Sequence, residues 1–333
     1  MMTSCSADDF ITRHGIVLRP ELVPYKASLT FNAGVVKANG KYVMIFRNDY
    51  DLTPQVFADF YAGRGDRTHG HTNMGLALSE DGVHFQVEPE PVFGWEDDRI
   101  GRMYDPRLTD LGDGEYGLCF AIDTWRDGTL GGIAVTCDFH HFEIKSTSLP
   151  ENRNMVLFPE KIDGCYVRLE RPFRQNLARS SIWISRSPDL VYWGESKPLL
   201  SADEVKYCNH KIGPGAPPIK TPAGWLVLFH AVSEVDHDLP SWHRNWRRVY
   251  YTGAMLLALD DPSKVIAVAQ KPLLAPEAPF EQTGYRGFAI FTTGLVREPD
   301  DSLKLYYSAG DMFVCLAESS VRKLLDFIDR YRQ

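Results

Sequence analysis

No run of about eighteen apolar residues occurs anywhere in the 333-residue chain, so no membrane-spanning helix is expected. The first residues carry neither a basic start nor an apolar stretch with a cleavage site, and the chain reads as cytoplasmic. Positive charge is in short supply: 36 Lys and Arg stand against 44 Asp and Glu, a net charge of -8. Such a chain exerts no general pull on a polyanion, which argues against a nucleic-acid partner. Cysteine is sparse. The six (Cys5, Cys119, Cys137, Cys165, Cys208 and Cys315) contain no C-x-x-C pair, and in a chain long enough to build its own core they read as reduced and structural. A nucleotide-binding glycine loop is missing too, because Gly63-Arg64-Gly65-Asp66 has no strand before it and no helix after it. Metal-site spacing is absent: around His69-Gly70-His71 and His140-His141 no carboxylate or cysteine falls where a ligand would be needed. No metal and no cofactor is expected.

What the chain does have is a globular composition, 44% hydrophobic and 12% aromatic, cut into many short apolar or alternating runs by Gly, Pro, Asn and Asp. Residues 33–36, 41–47, 75–79, 116–122, 132–136, 166–169, 181–185, 224–229, 250–259, 294–296, 304–308 and 313–317 all follow this pattern, which predicts an all-β fold. Turn signals such as Ala38-Asn39-Gly40 and Gly112-Asp113-Gly114 fall between paired runs, where hairpins need them. Only 319–331 reads as a helix, capped by Ser319 or Ser320, with Val321, Leu324, Leu325 and Ile328 on one face.

A weak repeat runs through the strands. Asp81, Asp138 and Asp189 each follow a strand and stand four residues before an aromatic, Phe85, Phe142 and Trp193. The looser Leu259-Asp260-Asp261-Pro262 comes later. A period of roughly fifty to sixty residues in an all-β chain suggests propeller blades. The length allows about five or six, and five once long loops are discounted. With no linker between them, residues 1–333 read as one domain.

Two groups of polar residues could carry chemistry. Asp105, in Tyr104-Asp105-Pro106-Arg107, sits at a strand start beside a fixed-φ proline and an arginine, a setting suited to acid catalysis. Arg153, Arg171, Lys211 and His230 each stand at the edge of an apolar run, where an unpaired charge is costly. Converging, they would hold a small dianion. The alternative pairs each with a nearby acid such as Glu160, Glu170 or Glu195.

In this order, several segments resemble glycoside hydrolase family 130, the inverting β-mannoside phosphorylases. They are Phe31-Asn32-Ala33-Gly34, Phe46-Arg47, Tyr104-Asp105-Pro106-Arg107, Asn152-Arg153-Asn154, Glu170-Arg171-Pro172, Ser187-Pro188-Asp189, Lys211-Ile212-Gly213-Pro214-Gly215, Phe229-His230 and Leu259-Asp260-Asp261-Pro262. The resemblance implies a five-bladed β-propeller with a short C-terminal helix. It also implies Asp105 as proton donor, acting through the mannosyl 3-hydroxyl, with Tyr104, Asn32, Arg47 and Asp311 around the donor sugar. Phosphate would be held by Arg153, Arg171, Lys211 and His230, with Tyr250 as a fifth ligand. The product would be α-mannose 1-phosphate from a β-1,4- or β-1,2-linked mannoside.

The chain departs from the family pattern at residues 287–292 and 307–312 and at Leu78. Stretches 49–73 and 233–248 are long, polar and aromatic, so Trp242 and Trp246 are expected at the acceptor subsite. The expected partners are a small glycan and inorganic phosphate as co-substrate, with a homo-oligomer allowed. Two rival readings keep the same residues: an inverting β-mannosidase that uses water, and a propeller that binds glycans without catalysis.

Overall fold

A computed structural model of the chain describes residues 10–62, 70–173 and 180–332. Cys5, His69 and the 63–66 run lie outside them. After an N-terminal strand β1 (Thr12–Leu18), the chain forms a first sheet from β2 (Leu29–Ala38), β3 (Lys41–Tyr50), β4 (His71–Ser79) and β5 (Gln86–Val87). A second follows from β6 (Ile100–Gly112), β7 (Glu115–Thr124), β8 (Thr129–Thr136) and β9 (Glu143–Thr147). The third holds β10 (Asn152–Leu157), β11 (Tyr166–Pro172), β12 (Ser181–Ser187) and β13 (Gly194–Ser201). In the fourth, β14 (Lys211–Pro214) and β15 (Ile219–Thr221) both pair with β16 (Gly224–Glu234), which β17 (Arg248–Leu257) and β18 (Val265–Val268) extend. The last comprises β19 (Ile290–Arg297), β20 (Ser302–Ala309) and β21 (Phe313–Ser320).

These are five blades in a ring, as the repeat implies. β1 pairs antiparallel with β21 and becomes the outer strand of the last blade, so the two ends of the chain close the ring. Three of the repeated aspartates mark the hairpin into an outer strand. Asp81 Oδ1 accepts from the amides of Val83 and His84, Asp138 Oδ1 from those of His140 and His141, and Asp189 Oδ1 from those of Val191 and Tyr192. The aromatic four residues on packs back onto a core between blades, as Phe85, Phe142 and Trp193 do.

Apolar clusters fill the gaps between consecutive blades. One joins Val43, Ile45 and Leu76 to Leu108, Leu118 and Phe120, and another joins Val156, Leu169 and Ile184 to Ile212, Trp225 and Val227. Leu78 packs against the first of these. At the ring's centre the inner strands approach closely: a Cβ on Gly34 of β2 would lie 2.5 Å from the Leu108 nitrogen of β6.

The C-terminal helix, α3 below, begins later than the sequence suggests. β21 runs through Ser320, whose side chain accepts from the Lys323 amide at 3.2 Å and caps the helix. Phe327 joins Val321, Leu324 and Ile328 on the buried face. Two helices escape the sequence reading: α1 (Pro54–Tyr61), inside the 49–73 stretch, and the single turn α2 (Pro279–Gln282), with α3 (Val321–Tyr331) completing the set. Among the described residues no helix is long and apolar enough to cross a membrane.

Trp225 is fully buried and meets the Phe158 ring edge-on at 5.1 Å between blades three and four. Trp225→Ala should cost about 3–5 kcal/mol of stability by urea unfolding; a loss under about 1 kcal/mol would mean that this inter-blade cluster supports the ring little.

Candidate active site

At one end of the ring lies a cavity of about 450 Å³, bordered by residues from all five blades. Its floor is built by a device that recurs from blade to blade. The inner strands β2, β6 and β10 each carry a bulge, and on each bulge an Asn or Asp takes the left-handed conformation: Asn32 (φ 49), Asp105 (φ 58) and Asn154 (φ 58). Asn and Asp tolerate this region better than other side chains, and a bulge redirects a side chain out of the alternation of the strand. Asp311 (φ 51) does the same in the turn between β20 and β21.

Asp105 is 8% exposed. Its Oδ1 accepts from Asn32 Nδ2 at 2.7 Å and Arg47 Nη1 at 3.2 Å, while Oδ2 accepts from no described residue and is left to the cavity. Ser308 donates to Asn32 Oδ1 at 2.6 Å, which fixes the orientation of that amide. Arg47 is itself held by a two-point pair with Asp49, at 2.8 and 2.6 Å, and lies over the rings of Phe31 and Tyr104. Burial alone would push the Asp105 carboxyl up, but Arg47, Arg107, Asn32 and Arg153 outweigh it and hold the group below the usual carboxylate range. Asp311 goes the other way. Burial raises it, and the neighbouring charge of Asp105 adds to this against the pull of Arg286 and Arg47. Of the two carboxyls, Asp105 is thus shifted towards its ionised form and Asp311 towards protonation.

The opposite character prevails where β10, β11, β14 and β16 meet the cavity. Arg153 and Arg171 are direct cross-strand partners on β10 and β11, an arrangement that like charges ordinarily disfavour. Both guanidinium groups lie over the Phe173 ring, at 4.7 and 4.6 Å, and Arg153 donates to the Tyr104 hydroxyl at 2.9 Å. The Lys211 ammonium sits 5.1 Å from the centre of the Tyr250 ring. His230 contacts Arg171 Nη1 at 2.9 Å.

The local acids are engaged elsewhere: Glu170 with Arg168 and Asn152, Glu160 with Lys220, and Glu195 with Arg186. Among the described residues none of Arg153, Arg171 and Lys211 has a carboxylate partner within ion-pair distance. Burial and then the neighbouring cations push the Lys211 ammonium well below its ordinary range and Arg171 down to about 9. Arg171 Nε, Arg107 Nη2 and Asn154 Oδ1 are buried and find no hydrogen-bond partner among the described residues. Such a wall can hold a small dianion, which would supply both the missing charge and the missing hydrogen bonds.

The acceptor expectation divides. Trp246 borders the cavity, stacks parallel to Tyr250 with centroids 6.1 Å apart, and donates from Nε1 to the Gly287 carbonyl at 2.7 Å. Trp242 does not reach the cavity. It packs edge-on against Tyr285 beside Leu29, Phe31, Leu52 and Phe57. Sequence reasoning missed Arg286, which pairs with Asp311 at 2.8 Å, and Arg102, both lining the cavity, whereas Arg244 and Arg248 come from the 233–248 stretch expected there. Asn154 was legible as part of Asn152-Arg153-Asn154; for Arg286 no sequence signal exists. His71 and His141 are paired with Glu96 and Asp138 at the surface, and no group of three metal-ligating side chains occurs among the described residues.

Comparison with known proteins bears on this geometry. The family model described as beta-1,4-mannooligosaccharide phosphorylase matches residues 10–330. A 1,2-beta-oligomannan phosphorylase of Thermoanaerobacter sp. (strain X514) is 32% identical over 308 residues, covering 90% of this chain and 94% of the relative. A beta-1,4-mannooligosaccharide phosphorylase of Ruminococcus albus is 29% identical over 311 residues, covering 90% and 84%. Among solved structures, beta-1,2-mannobiose phosphorylase from Listeria innocua, in complex with beta-1,2-mannobiose, superposes with a TM-score of 0.82 at 25% identity, covering 96% of this chain and 99% of that one.

Arg47 offers a direct test of the carboxylate side. Arg47→Met would leave Asp49 and Asp105 buried without their cation and should cost about 3–5 kcal/mol near neutral pH. In the wild type the lowered Asp105 group contributes stability above its unfolded value, about 3.9, and loses it as pH falls. In the variant burial dominates, the group shifts upward, and stability is lost as pH rises. The gap in urea stability between the two proteins should therefore narrow towards about pH 4; a constant gap would show that Arg47 does not hold this charge.

Proposed function

The chain belongs to glycoside hydrolase family 130, and on that premise we propose that it is a β-mannoside phosphorylase, converting a β-linked mannosyl oligosaccharide and phosphate into α-mannose 1-phosphate and a shortened acceptor. The observation that carries this reading is the set of Arg171 and His230, both buried, with Arg153 and Lys211, both half-buried, which has no acidic counter-ion among the described residues and faces the same cavity as Asp105. An inverting hydrolase needs a second carboxylate to activate water on the far side of the sugar. Phosphate already carries nucleophilic charge and needs only to be positioned, which is what fixed cations supply.

Each group then has a task. Asn32, Arg47, Tyr104 and Asp311 surround the mannosyl unit, and the cations hold phosphate beneath its anomeric carbon. Asp105 donates a proton to the leaving oxygen by way of the sugar 3-hydroxyl. A bound dianion beside Arg153 offsets part of that cation's pull and shifts the Asp105 carboxyl upward, towards the protonated form that the acid role requires.

The test is to incubate the protein with β-1,4- and β-1,2-mannobiose over a range of phosphate concentrations. Cleavage should rise with phosphate and saturate, with mannose 1-phosphate as product; free mannose released equally well without phosphate would establish the hydrolase instead. Asp105→Asn keeps a side chain suited to φ 58 and should lower turnover by a factor on the order of a hundred to ten thousand. Retained turnover would transfer the acid role to Asp311.

The two tryptophans supply a second check. Trp246→Ala should raise the acceptor KM about fivefold in the synthetic direction, equivalent to about 1 kcal/mol of stacking. Trp242→Ala should leave that constant unchanged. The reverse ranking would put the acceptor subsite on the other side of the loop.

A further inference from the structure

His230 is 2% exposed, and both of its ring nitrogens are committed. Nδ1 lies 3.1 Å from the Pro214 carbonyl oxygen. A carbonyl only accepts, so Nδ1 carries the hydrogen. Nε2 lies 2.9 Å from Arg171 Nη1. A guanidinium only donates, so Nε2 presents its lone pair. The two contacts independently require the same neutral tautomer, and an imidazolium would set one N–H against another.

The ring has little room to turn. Phe291 meets it edge-on at 4.6 Å, and a Cβ on Gly213 would lie 2.4 Å from its Cε1. The groups facing it from the packed elements are Arg171 on β11, Lys211 on β14, Arg107 on β6 and the Tyr250 phenol on β17. Among the described residues no carboxylate hydrogen-bonds or ion-pairs with it. Burial and these cations hold the imidazole well below its ordinary range, in agreement with the hydrogen bonding.

We propose that His230 acts on the substrate anion as a hydrogen-bond acceptor, reading the proton of hydrogen phosphate through Nε2, and so makes the site selective for protonated tetrahedral oxyanions. The inference rests on the phosphorylase reading and deepens it. Arg153, Arg171 and Lys211 can each donate to a bare oxygen; His230 has no N–H left to give. An anion oxygen that reaches Nε2 is accommodated when it brings its own hydrogen, displacing the Arg171 contact and freeing that donor for another oxygen. Pinning the P–OH at His230 also keeps the protonated oxygen away from the anomeric carbon and leaves a bare one to attack. Sulfate has the same shape and charge but no hydrogen, so its oxygen would meet a lone pair.

The test compares the affinities of phosphate, arsenate, sulfate and selenate by calorimetry at about pH 8, where all four carry two charges. Phosphate and arsenate should bind about tenfold to a hundredfold tighter than sulfate and selenate, the range expected when a buried polar atom is left unpaired. The ranking should follow the proton and not the size. In His230→Gln, which can turn an N–H to a bare oxygen, the phosphate-to-sulfate ratio should fall towards one. Because Lys211 and the arginines act on both anions alike, their titration cancels in that ratio.

Sulfate binding within about threefold of phosphate in the wild type would overturn the inference. So would discrimination that survives in His230→Gln, which would point to the unpartnered Asn154 Oδ1 as the acceptor. Nitrogen-15 spectra of the labelled wild-type imidazole with phosphate bound provide a readout that needs no variant to fold, and an imidazolium signal there would equally refute the proposal. If none of the four anions binds, the phosphorylase reading itself falls, and this one with it.

Discussion

Arg153 and Arg171 are held against each other across the β10 and β11 pair, with Lys211 alongside on β14, and no carboxylate among the described residues neutralises them. Left to itself such a cluster would relax by splaying its side chains into water. It is kept in place because β10 and β11 of the third blade and β14 of the fourth are fixed side by side in a closed ring. Apolar clusters between blades set the positions of the inner strands, and the aromatic rings of Phe173 and Tyr250 lie under the charges. The propeller contributes the stability that this repulsion removes. An anion of the right shape then meets donors that have already been desolvated and oriented, which is the condition under which electrostatic catalysis is effective.

The inner-strand bulge is the second constraint, and it links fold to chemistry. A regular strand would alternate its side chains between the two neighbouring blades. The left-handed residue on β2, β6 and β10 breaks that alternation and turns Asn32, Asp105 and Asn154 to the cavity. Non-glycine residues in this region carry local strain, and the strain is tolerated because Gly34 and its surroundings lock the ring where β2 meets β6. The same backbone device thus turns two amides, Asn32 and Asn154, and one carboxyl, Asp105, to the cavity.

Arg47 and its neighbours hold the Asp105 carboxyl below the usual carboxylate range, while burial and the surrounding cations push Lys211 well below its ordinary range. Both shifts lower the local positive charge, and a bound dianion opposes both. Substrate binding and proton placement are therefore one coupled event. His230 occupies a distinct position within it, because hydrogen bonds on both of its nitrogens define its state before any anion arrives.

The all-β class, a weak blade-length repeat and the two chemical groups were legible in the sequence. The turn aspartates at Asp81, Asp138 and Asp189 act within a few residues of themselves, and cations at the margins of apolar runs stand out in an acidic chain. Only the tertiary structure decided which of these groups meet. Arg47 reaches Asp105 from the neighbouring blade, Arg286 reaches Asp311, and β1 closes the ring with β21. The same holds for Trp246 entering the cavity wall while Trp242 joins the core, and for the tautomer of His230. Local periodicity reports which face of a strand is apolar. It carries no information about the partner that a side chain finds across a ring closed by residues far apart in the chain, and in this protein those partners set the charge of every group at the site.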